Sequence, residues 1–475
     1  MITVVGLGAE AGDLTEKGKA AILSAKRVLV RTAHARSYQS VVALGVEHET
    51  LDEIYERSRK YDTLNEKLAK AVAASGDGTV YCVDGAASED NSVKALQKKL
   101  RGKLTVVDGV SRISSIATAA GFAGCSYTGV SAYEMTEAAA SGLLRGNLVV
   151  YDIDDRALAS DVKLLLGNAY GEETEITYYI GGVGKKLPIY ELDRQTAYDY
   201  SSAVAVREIP LLDKTRFTVE DLLKIIVLLR KPDGCPWDRV QTPKTIKMNA
   251  VEEAYELVDA IDADDDDKIL EETGDILMQA VFHAVMKEEQ GAFDWTDVAT
   301  GVCEKLISRH THVFGKDGAT DESSALNVWE KNKMKEKHQQ TYASAVNDVP
   351  KVFPALLQAQ KVAKRVEKGG WGFADLAEIE AKLKEEYAEL KEAYASGDQK
   401  SVKEELGDFL LAAAGLAREV GADAEEALLD AVKKLKKRFT AYENAVLADG
   451  KDVNALTQEE KEAYYQKIKA ALKAE

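Results

Sequence analysis

The sequence predicts a multidomain protein in which an α/β domain is followed by an all-helical half. The chain has 475 residues, more than one hydrophobic core usually organises, which predicts two or three domains. Short β-type runs alternate with helical patterns up to residue 210, whereas the patterns from Thr218 onward are helical. Acidic and apolar residues then recur at a constant offset, which indicates an internal duplication. The predicted domains are residues 1–212, 217–342 and 348–475.

The strand patterns of the first domain are short, apolar and rich in β-branched residues. They are "ITVVGLG", "RVLVRT", "TVYCVDG", "KLTVVDG", "NLVVYDI", "EITYYIGG" and "AVAVREI". Helical patterns such as "TEKGKAAILSA" and "ISSIATAAGFA" lie between several of them. Alternation of this kind is typical of an α/β domain.

The helical half begins with a capping signal. Thr218 and Asp221 predict a capping box ahead of the apolar run "LLKIIVLLR". Thr242 and Pro243 suit an N-cap followed by a first-turn proline, which predicts another helix start. The segment "ASAVNDVPKVFP", residues 343–354, predicts a linker that divides this half into two modules.

Four acidic residues recur 133 residues later in the chain. Glu253, Glu256, Glu272 and Asp275 correspond in this way to Glu386, Glu389, Glu405 and Asp408. The members of each pair are three residues apart, so they share one face of a helix. Each "GD" precedes an apolar helix, and each copy later contains a basic helix, "EKLISRH" or "KKLKKRF". A duplicated module accounts for this agreement.

The helix that carries Glu272 and Asp275 has one narrow polar stripe. Gln279 and His283 continue the stripe, and the run from Ile276 to Val285 is otherwise almost wholly apolar. A helix that is apolar on nearly every side is normally buried. Burial of the Glu272 and Asp275 carboxylates, directly before this run, is therefore costly unless a positive group lies next to them.

Two antiparallel helices would set the four carboxylates of one copy opposite each other. Such carboxylates repel, and their burial adds to the cost. A divalent cation removes the conflict, and ligation by oxygen alone favours Mg²⁺ or Mn²⁺. The alternatives are a solvated glutamate-rich face for the first pair and helix capping for the second. Because neither explains why both copies keep the same four acids, we predict a metal site in each.

Composition and charge argue against several other classes of protein. The net charge is −18, and most of it lies in residues 217–475, whereas a nucleic-acid binder needs a basic face. The four cysteines form no C-x-x-C pair, so a zinc site or a disulfide framework is not expected. The sequence has neither a signal-peptide pattern nor a membrane-length apolar segment. We therefore expect a cytoplasmic protein that binds neither nucleic acid nor membrane.

The motifs of the helical half resemble those of MazG nucleoside triphosphate pyrophosphohydrolases. The resemblance rests on "LLRKPDGCPWDRVQT", "VEEAYELVDAI", "EETGDILMQAVFHA", "EKLISRHTHVFG" and "VWEKNK". The second copy, with "KEEYAELKEA" and "KEELGDFLLA", resembles the second module of two-module members. The resemblance covers residues 217–475. It implies two all-α helical-bundle modules, a homodimer formed through them, and magnesium-dependent hydrolysis of nucleoside triphosphates to monophosphates and pyrophosphate.

The resemblance also implies roles for individual residues. The four acids of each copy would bind the metal, and those of the first copy would be catalytic. The residues that would bind substrate are Lys268, Lys305, Arg309 and Trp329 in the first copy and Lys434 and Arg438 in the second. The alternative for the basic residues is a solvated stripe at a helix end. Since Ser401 and Tyr465 replace Lys268 and Trp329 in the second copy, we predict that the first copy is the stronger catalyst.

The N-terminal half resembles tetrapyrrole methylases, a family that uses S-adenosylmethionine. The resemblance rests on "VVGLG", "GVSRISSIATAAGFAG" and "ASDVK…YELDR", and it implies cofactor-binding positions at Gly6, Gly8, Gly85 and Gly109. The chain departs from the family's loops at Glu10, Asp84 and Asp108, where the family has glycine or proline. These changes alter the turns and add negative charge beside a cofactor that carries a carboxylate. We therefore predict weak or absent cofactor binding.

Two other functions are compatible with the sequence. The methylase-like domain could be a tetrapyrrole methyltransferase that the MazG modules hold in an oligomer. Alternatively, the whole chain could be a non-catalytic regulatory scaffold that binds nucleotides. Pyrophosphate release from nucleoside triphosphates distinguishes the pyrophosphohydrolase function from both of these alternatives.

Overall fold

The computed structural model of the chain describes residues 1–58, 61–101, 103–336 and 341–474. The chain divides into two compact units, Met1–Trp295 and Thr296–Glu475. The first unit combines the α/β layers with the first helices of the helical half. The predicted three-domain division is a different partition and stays a prediction. Within the part of the chain described, no helix is both long and apolar enough to cross a membrane.

Five parallel strands form the first sheet. They are β1 (Ile2–Gly6), β2 (Arg27–Val30), β3 (Glu49–Thr50), β4 (Thr79–Val83) and β5 (Leu104–Val107), in the order β3-β2-β4-β1-β5. The helices between them are α1 (Glu16–Leu23), α2 (Tyr38–Ala43), α3 (Asp52–Glu56), α4 (Tyr61–Ala74) and α5 (Asn91–Lys99). Strand β4 is buried along its whole length, as is typical of a parallel strand in an α/β domain.

A second, mixed sheet follows. Its strands are β6 (Tyr127–Ser131), β7 (Asn147–Tyr151), β8 (Glu175–Ile180), β9 (Val183–Pro188) and β10 (Ala203–Val206), in the order β6-β7-β10-β8-β9. Strand β6 pairs parallel with β7, and the other neighbours pair antiparallel. The helices of this part are α6 (Arg112–Ala119), α7 (Met135–Ala140) and α8 (Arg156–Tyr170). The predicted α/β class is therefore confirmed.

The rest of the described chain is helical, as predicted. The first unit continues with α9 (Val219–Arg230), α10 (Pro236–Arg239), α11 (Asn249–Asp262) and α12 (Asp266–Glu288), and α13 (Trp295–Arg309) crosses into the second unit. The second unit adds α14 (Thr311–Phe314), α15 (Glu322–Glu336), α16 (Tyr342–Asn347), α17 (Ala355–Lys368), α18 (Leu376–Ser396), α19 (Gln399–Glu419), α20 (Ala424–Ala448) and α21 (Gln458–Ala474).

The predicted capping box at Thr218 and Asp221 is confirmed at the start of α9. Each side chain accepts a hydrogen bond from the backbone N–H of the other residue. The apolar side of α9 packs on α12 through Ile226, Val281 and Phe282. The predicted burial of the run Ile276 to Val285 is confirmed for Val281, Phe282, Ala284 and Val285, whereas Ala280 is exposed.

Two local predictions are wrong. No helix starts at Thr242 and Pro243, because Thr242 and Thr245 exchange local hydrogen bonds in a turn, and α11 begins only at Asn249. The predicted linker 343–354 starts as a helix instead: Thr341 caps α16, and Ala345 is buried.

The duplicated acids lie on two helical hairpins with matching turns. In the first hairpin, α11 and α12 are joined through Asp264, which has a φ of +53°. In the second, α18 and α19 are joined through Gly397, at the corresponding position, with a φ of +75°. Left-handed backbone conformations favour glycine, and aspartate is among the few other residues that tolerate them. The same turn geometry at the same offset supports the duplication.

Candidate metal centres and the N-terminal cleft

The first hairpin brings three of its four acids into one cluster. The carboxylate oxygens of Glu253, Glu272 and Asp275 lie within 4.8 Å of one another, and all three residues are half-buried. Ligand oxygens lie about 2.0 to 2.6 Å from Mg²⁺ or Ca²⁺, so two of them on one ion are up to about 5 Å apart. The donor set and its span therefore fit one divalent cation.

Glu256 lies outside this three-residue cluster but next to it. Burial, and then the negative charge of Glu256, raise the pKa of Glu272 above its usual range. Burial, and then repulsion by Asp275 and Glu256, likewise raise the pKa of Glu253. The hairpin thus concentrates negative charge that a cation would neutralise.

The second hairpin repeats the cluster with one added cation. Oxygens of Glu386, Glu405 and Asp408 lie within 4.8 Å of one another, and Glu386 is only 5% exposed. The Lys382 ammonium lies 2.7 Å from Glu386, and its ion pairs raise the pKa of that lysine. Burial, and then repulsion by Glu389 and Glu386, raise the pKa of Glu405. Sequence reasoning missed Lys382, although its i, i+4 spacing to Glu386 was a usable signal.

Gln279 is a second residue that sequence reasoning left without a role. It lies one turn after Asp275 on α12, is 8% exposed, and its side chain partly offsets the rise in the pKa of Glu253. Its Oε1 has no hydrogen-bond partner among the described residues. The corresponding residue of the second hairpin is Ala412, which is also buried.

Two of the predicted substrate-binding residues meet in the second unit. The Arg309 guanidinium lies over the Trp329 ring, 5.2 Å from its centroid, and donates two hydrogen bonds to Glu336. Lys333, which sequence reasoning did not single out, lies 4.7 Å from the same centroid. Lys305 is exposed on α13. The sequence therefore identified two members of a cation–aromatic cluster and missed the third.

The second copy has a similar arginine–aromatic pair. Arg438 donates a hydrogen bond of 3.4 Å to the Tyr465 hydroxyl, and Lys434 is exposed on the same helix. Near the hairpin turn the copies differ. Lys268 is exposed in the first turn of α12, whereas Ser401 donates its hydroxyl to the capping residue Asp398 at 2.7 Å. Ser401 is thus engaged in the helix cap.

The predicted cofactor glycines lie where the loops after β1, β4 and β5 meet. A Cβ added to Gly109 would lie 2.5 Å from the Gly6 carbonyl oxygen and 2.7 Å from that of Gly85. One added to Gly8, whose φ is +88°, would lie 2.2 Å from the Asp13 Cβ. The structure therefore gives these glycines a packing role, and cofactor binding by them stays a prediction.

Beside these loops lies a cleft of about 1260 Å³, lined by Glu10 and Asp84 but not by Asp108, and all three unexpected acids have protein partners. Glu10 pairs with Arg36 at 2.7 Å. Asp84 accepts from the Ser37 hydroxyl and lies 3.4 Å from Arg112, and its burial raises its pKa. Asp108 accepts from the Ala87 N–H at 2.6 Å. Each of the three carboxylates thus interacts with a group of the domain itself.

The raised carboxyl pKa values predict a pH-dependent effect of metal on stability. A carboxyl whose pKa is higher in the folded than in the unfolded chain favours folding when protonated, and that contribution is lost as the pH rises through the folded pKa. For Glu253, Glu272 and Glu405 this window lies above the ordinary value of 4.5. We expect Mn²⁺ to raise the Tm more at about pH 7 than at about pH 5, where protons compete with it. A thermal melt that shows an equal or larger rise at the lower pH would contradict this.

Comparisons with known proteins agree with these observations. The MazG nucleotide pyrophosphohydrolase domain matches residues 241–314 and 375–441. The chain is 39% identical over 254 residues to the nucleoside triphosphate pyrophosphohydrolase of Escherichia coli K12, covering 53% of this chain and 97% of that protein. It is 31% identical over 493 residues to the protein YabN of Bacillus subtilis 168, covering 98% of both.

Among solved structures, the chain is similar to the uroporphyrin-III-C-methyltransferase of Thermus thermophilus. The identity is 16% and the TM-score is 0.33, over 44% of this chain and 94% of that one. The extensive identity to the Escherichia coli protein, together with the two matched segments, decides the family. The chain belongs to the MazG nucleotide pyrophosphohydrolase family.

Proposed function

We propose that the chain hydrolyses nucleoside triphosphates to monophosphates and pyrophosphate with the help of Mg²⁺ or Mn²⁺. The observation that carries the proposal is the pair of matching carboxylate clusters, on Glu253, Glu272 and Asp275 and again in the second hairpin. The relative from Escherichia coli is named for the same activity.

The acidic residues of the first hairpin have two different roles in the proposed reaction. Glu253, Glu272 and Asp275 would hold the cation, which when bound would neutralise phosphate charge and lower the pKa of a water. Glu256 lies beside this cluster without belonging to it, so its carboxylate is suited to accept the proton of the attacking water. Attack at the α-phosphorus yields the monophosphate and leaves pyrophosphate.

The nucleotide would be recognised by cationic and aromatic side chains. Arg309 and Lys333 lie 5.2 and 4.7 Å from the Trp329 ring centroid, so this cluster combines an aromatic group for the base with cations for the phosphates. Lys268 and Lys305, both exposed, are the further phosphate-binding candidates of the first copy. In the second copy the candidates are Lys434 and Arg438.

A homodimer through the helical modules forms part of the proposal. Helix α13 exposes Val302, Leu306 and Ile307, and α20 exposes Leu435 and Phe439. Apolar side chains exposed together on one helix usually mark an interaction surface. A second copy of the chain would cover them.

We expect weak or absent binding of S-adenosylmethionine. Glu10, Asp84 and Asp108 add negative charge near the cleft, and each is already bound to a group of the domain. Calorimetric titration of the full chain measures the affinity. Low-micromolar binding together with methyl transfer to a tetrapyrrole would favour the alternative function, a methyltransferase.

The function is tested by following the products formed from mixed nucleoside triphosphates and Mg²⁺ over time. We expect equimolar monophosphate and pyrophosphate from the earliest time point. The control is the double variant Asp275→Asn with Asp408→Asn, in which both clusters lose a charged ligand. Orthophosphate as the first product would contradict the proposal, and so would the absence of any product, as a nucleotide-binding scaffold would give.

A further inference from the structure

We propose that the two modules bind divalent cations with different affinities, the first more tightly than the second. The difference arises at two positions, occupied by Asn249 and Gln279 in the first hairpin and by Lys382 and Ala412 in the second. The inference rests on the proposed role of the acid clusters as metal sites. It adds that Lys382 and Gln279 set the order in which the two sites fill.

Lys382 is a resident counter-ion of the second cluster. Its ammonium lies 2.7 Å from Glu386 and 2.9 Å from Glu385, and the Glu386 side chain is only 6% exposed. An ion pair at a buried carboxylate is weakly screened by solvent, so it competes with other cations more strongly than a surface pair does. A metal ion entering this cluster must displace the ammonium from Glu386 or share the site with its positive charge.

The first cluster has no such competitor at the same position. Asn249, which corresponds to Lys382, is the neutral first residue of α11. No ammonium therefore competes from this position for the carboxylates of Glu253, Glu272 and Asp275. This difference alone favours the first site.

Gln279 adds a second contribution in the same direction. Its side chain partly offsets the rise in the Glu253 pKa, while its buried Oε1 has no partner in the described ranges. A buried carbonyl oxygen without a partner is costly, and it is a hard oxygen that can accept from a metal-bound water or bind the metal itself. Ala412, at the equivalent position of the second hairpin, offers neither function.

A consequence is that the modules would not be loaded together. At a low cation concentration the first site would be filled, and in the second site the Lys382 ammonium would remain bound to Glu386 in place of a metal ion. The second site would fill only as the cation concentration rises. The first site would therefore be occupied at nearly all cation concentrations, and the occupancy of the second would follow the concentration.

The test is titration of the metal-free full chain with Mn²⁺, counted by the electron paramagnetic resonance signal of the free ion. We expect two classes of site in the wild type. Asp275→Asn should remove the tight class, and Asp408→Asn should remove the weak one. Lys382→Asn, which installs the residue of the first hairpin, should tighten the weak class by about ten- to a hundredfold. Gln279→Ala should loosen the tight class by about tenfold.

Lys384→Asn is the matched control, because this exposed lysine lies on the same helix and makes no ion pair among those the structure shows. Lys382→Gln repeats the charge removal with a longer side chain, and circular dichroism verifies that each variant keeps its helices. A single class of site in the wild type would overturn the inference. The inference would also be overturned if a Lys382 variant left the Mn²⁺ affinity of the weak class unchanged or lowered it. The weak class is the one that Asp408→Asn removes. Failure of pyrophosphate release with two classes still present would instead contradict the proposed function.

Discussion

Asp275→Asn is expected to lower pyrophosphate release by about ten- to a hundredfold, whereas Asp408→Asn should leave most of it intact. Each change removes one charged ligand at nearly constant volume, and loss of such a contact costs about 1.5 to 3 kcal/mol. The two effects differ because the first copy has Lys268 and Trp329 where the second has Ser401 and Tyr465. Ser401 is moreover bound to Asp398.

The two variants are compared at equal folded concentration and saturating Mg²⁺, so that a difference in metal affinity does not mask a difference in catalysis. Thermal unfolding of both proteins checks that neither substitution has destabilised its hairpin. The reverse outcome, in which Asp408→Asn abolishes activity and Asp275→Asn leaves it near wild type, would assign catalysis to the second copy.

Removal of divalent cations is expected to abolish pyrophosphate release completely. Without a cation, the carboxylates of Glu253, Glu272 and Asp275 repel one another and any triphosphate that approaches. Addition of Mg²⁺ or Mn²⁺ in excess over the chelator should restore the full rate. Ca²⁺ is the informative control, because it prefers more ligands at longer distances and should restore less activity. Full activity in excess chelator would contradict a metal-dependent mechanism.

The repeat is the part of the site that the sequence predicts best. A constant offset between acids requires only that both copies fold alike, and Asp264 and Gly397 adopt the same left-handed turn at matching positions. The hairpins, and the meeting of three acids in each, follow from helical periodicity and a short connection. Tertiary structure adds the finding that Glu256 lies outside its three-residue cluster.

Lys382 and Gln279 show where prediction from a single sequence ends. A lysine four residues before a glutamate is common on solvated helices, and only the burial of Glu386 makes this pair unusual. The contact between Gln279 and Glu253 depends on how α11 and α12 pack together. In the same way, the partners of Asp84 are Ser37 and Arg112, which lie far from it in the sequence.

Strand β9 was not among the predicted strands, and the turn at Thr242 was predicted to be a helix start, both for local reasons. Strand β9 pairs only with β8 at the sheet edge, and its lysines and glycine are exposed there, so no apolar alternation marks it. At Thr242, hydrogen bonds with Thr245 stabilise a turn in place of the helix start that the Thr-Pro pair suggested. In both cases the local sequence pattern is compatible with more than one secondary structure.

The most direct test of the account is hydrolysis of a nucleoside triphosphate in ¹⁸O-labelled water with Mg²⁺, read by mass spectrometry of the first products. The proposed function requires attack of water at the α-phosphorus, so the label should appear in the monophosphate and unlabelled pyrophosphate should be released. The double variant Asp275→Asn with Asp408→Asn should form neither product above the background rate. Label in orthophosphate, or in pyrophosphate, would contradict the account.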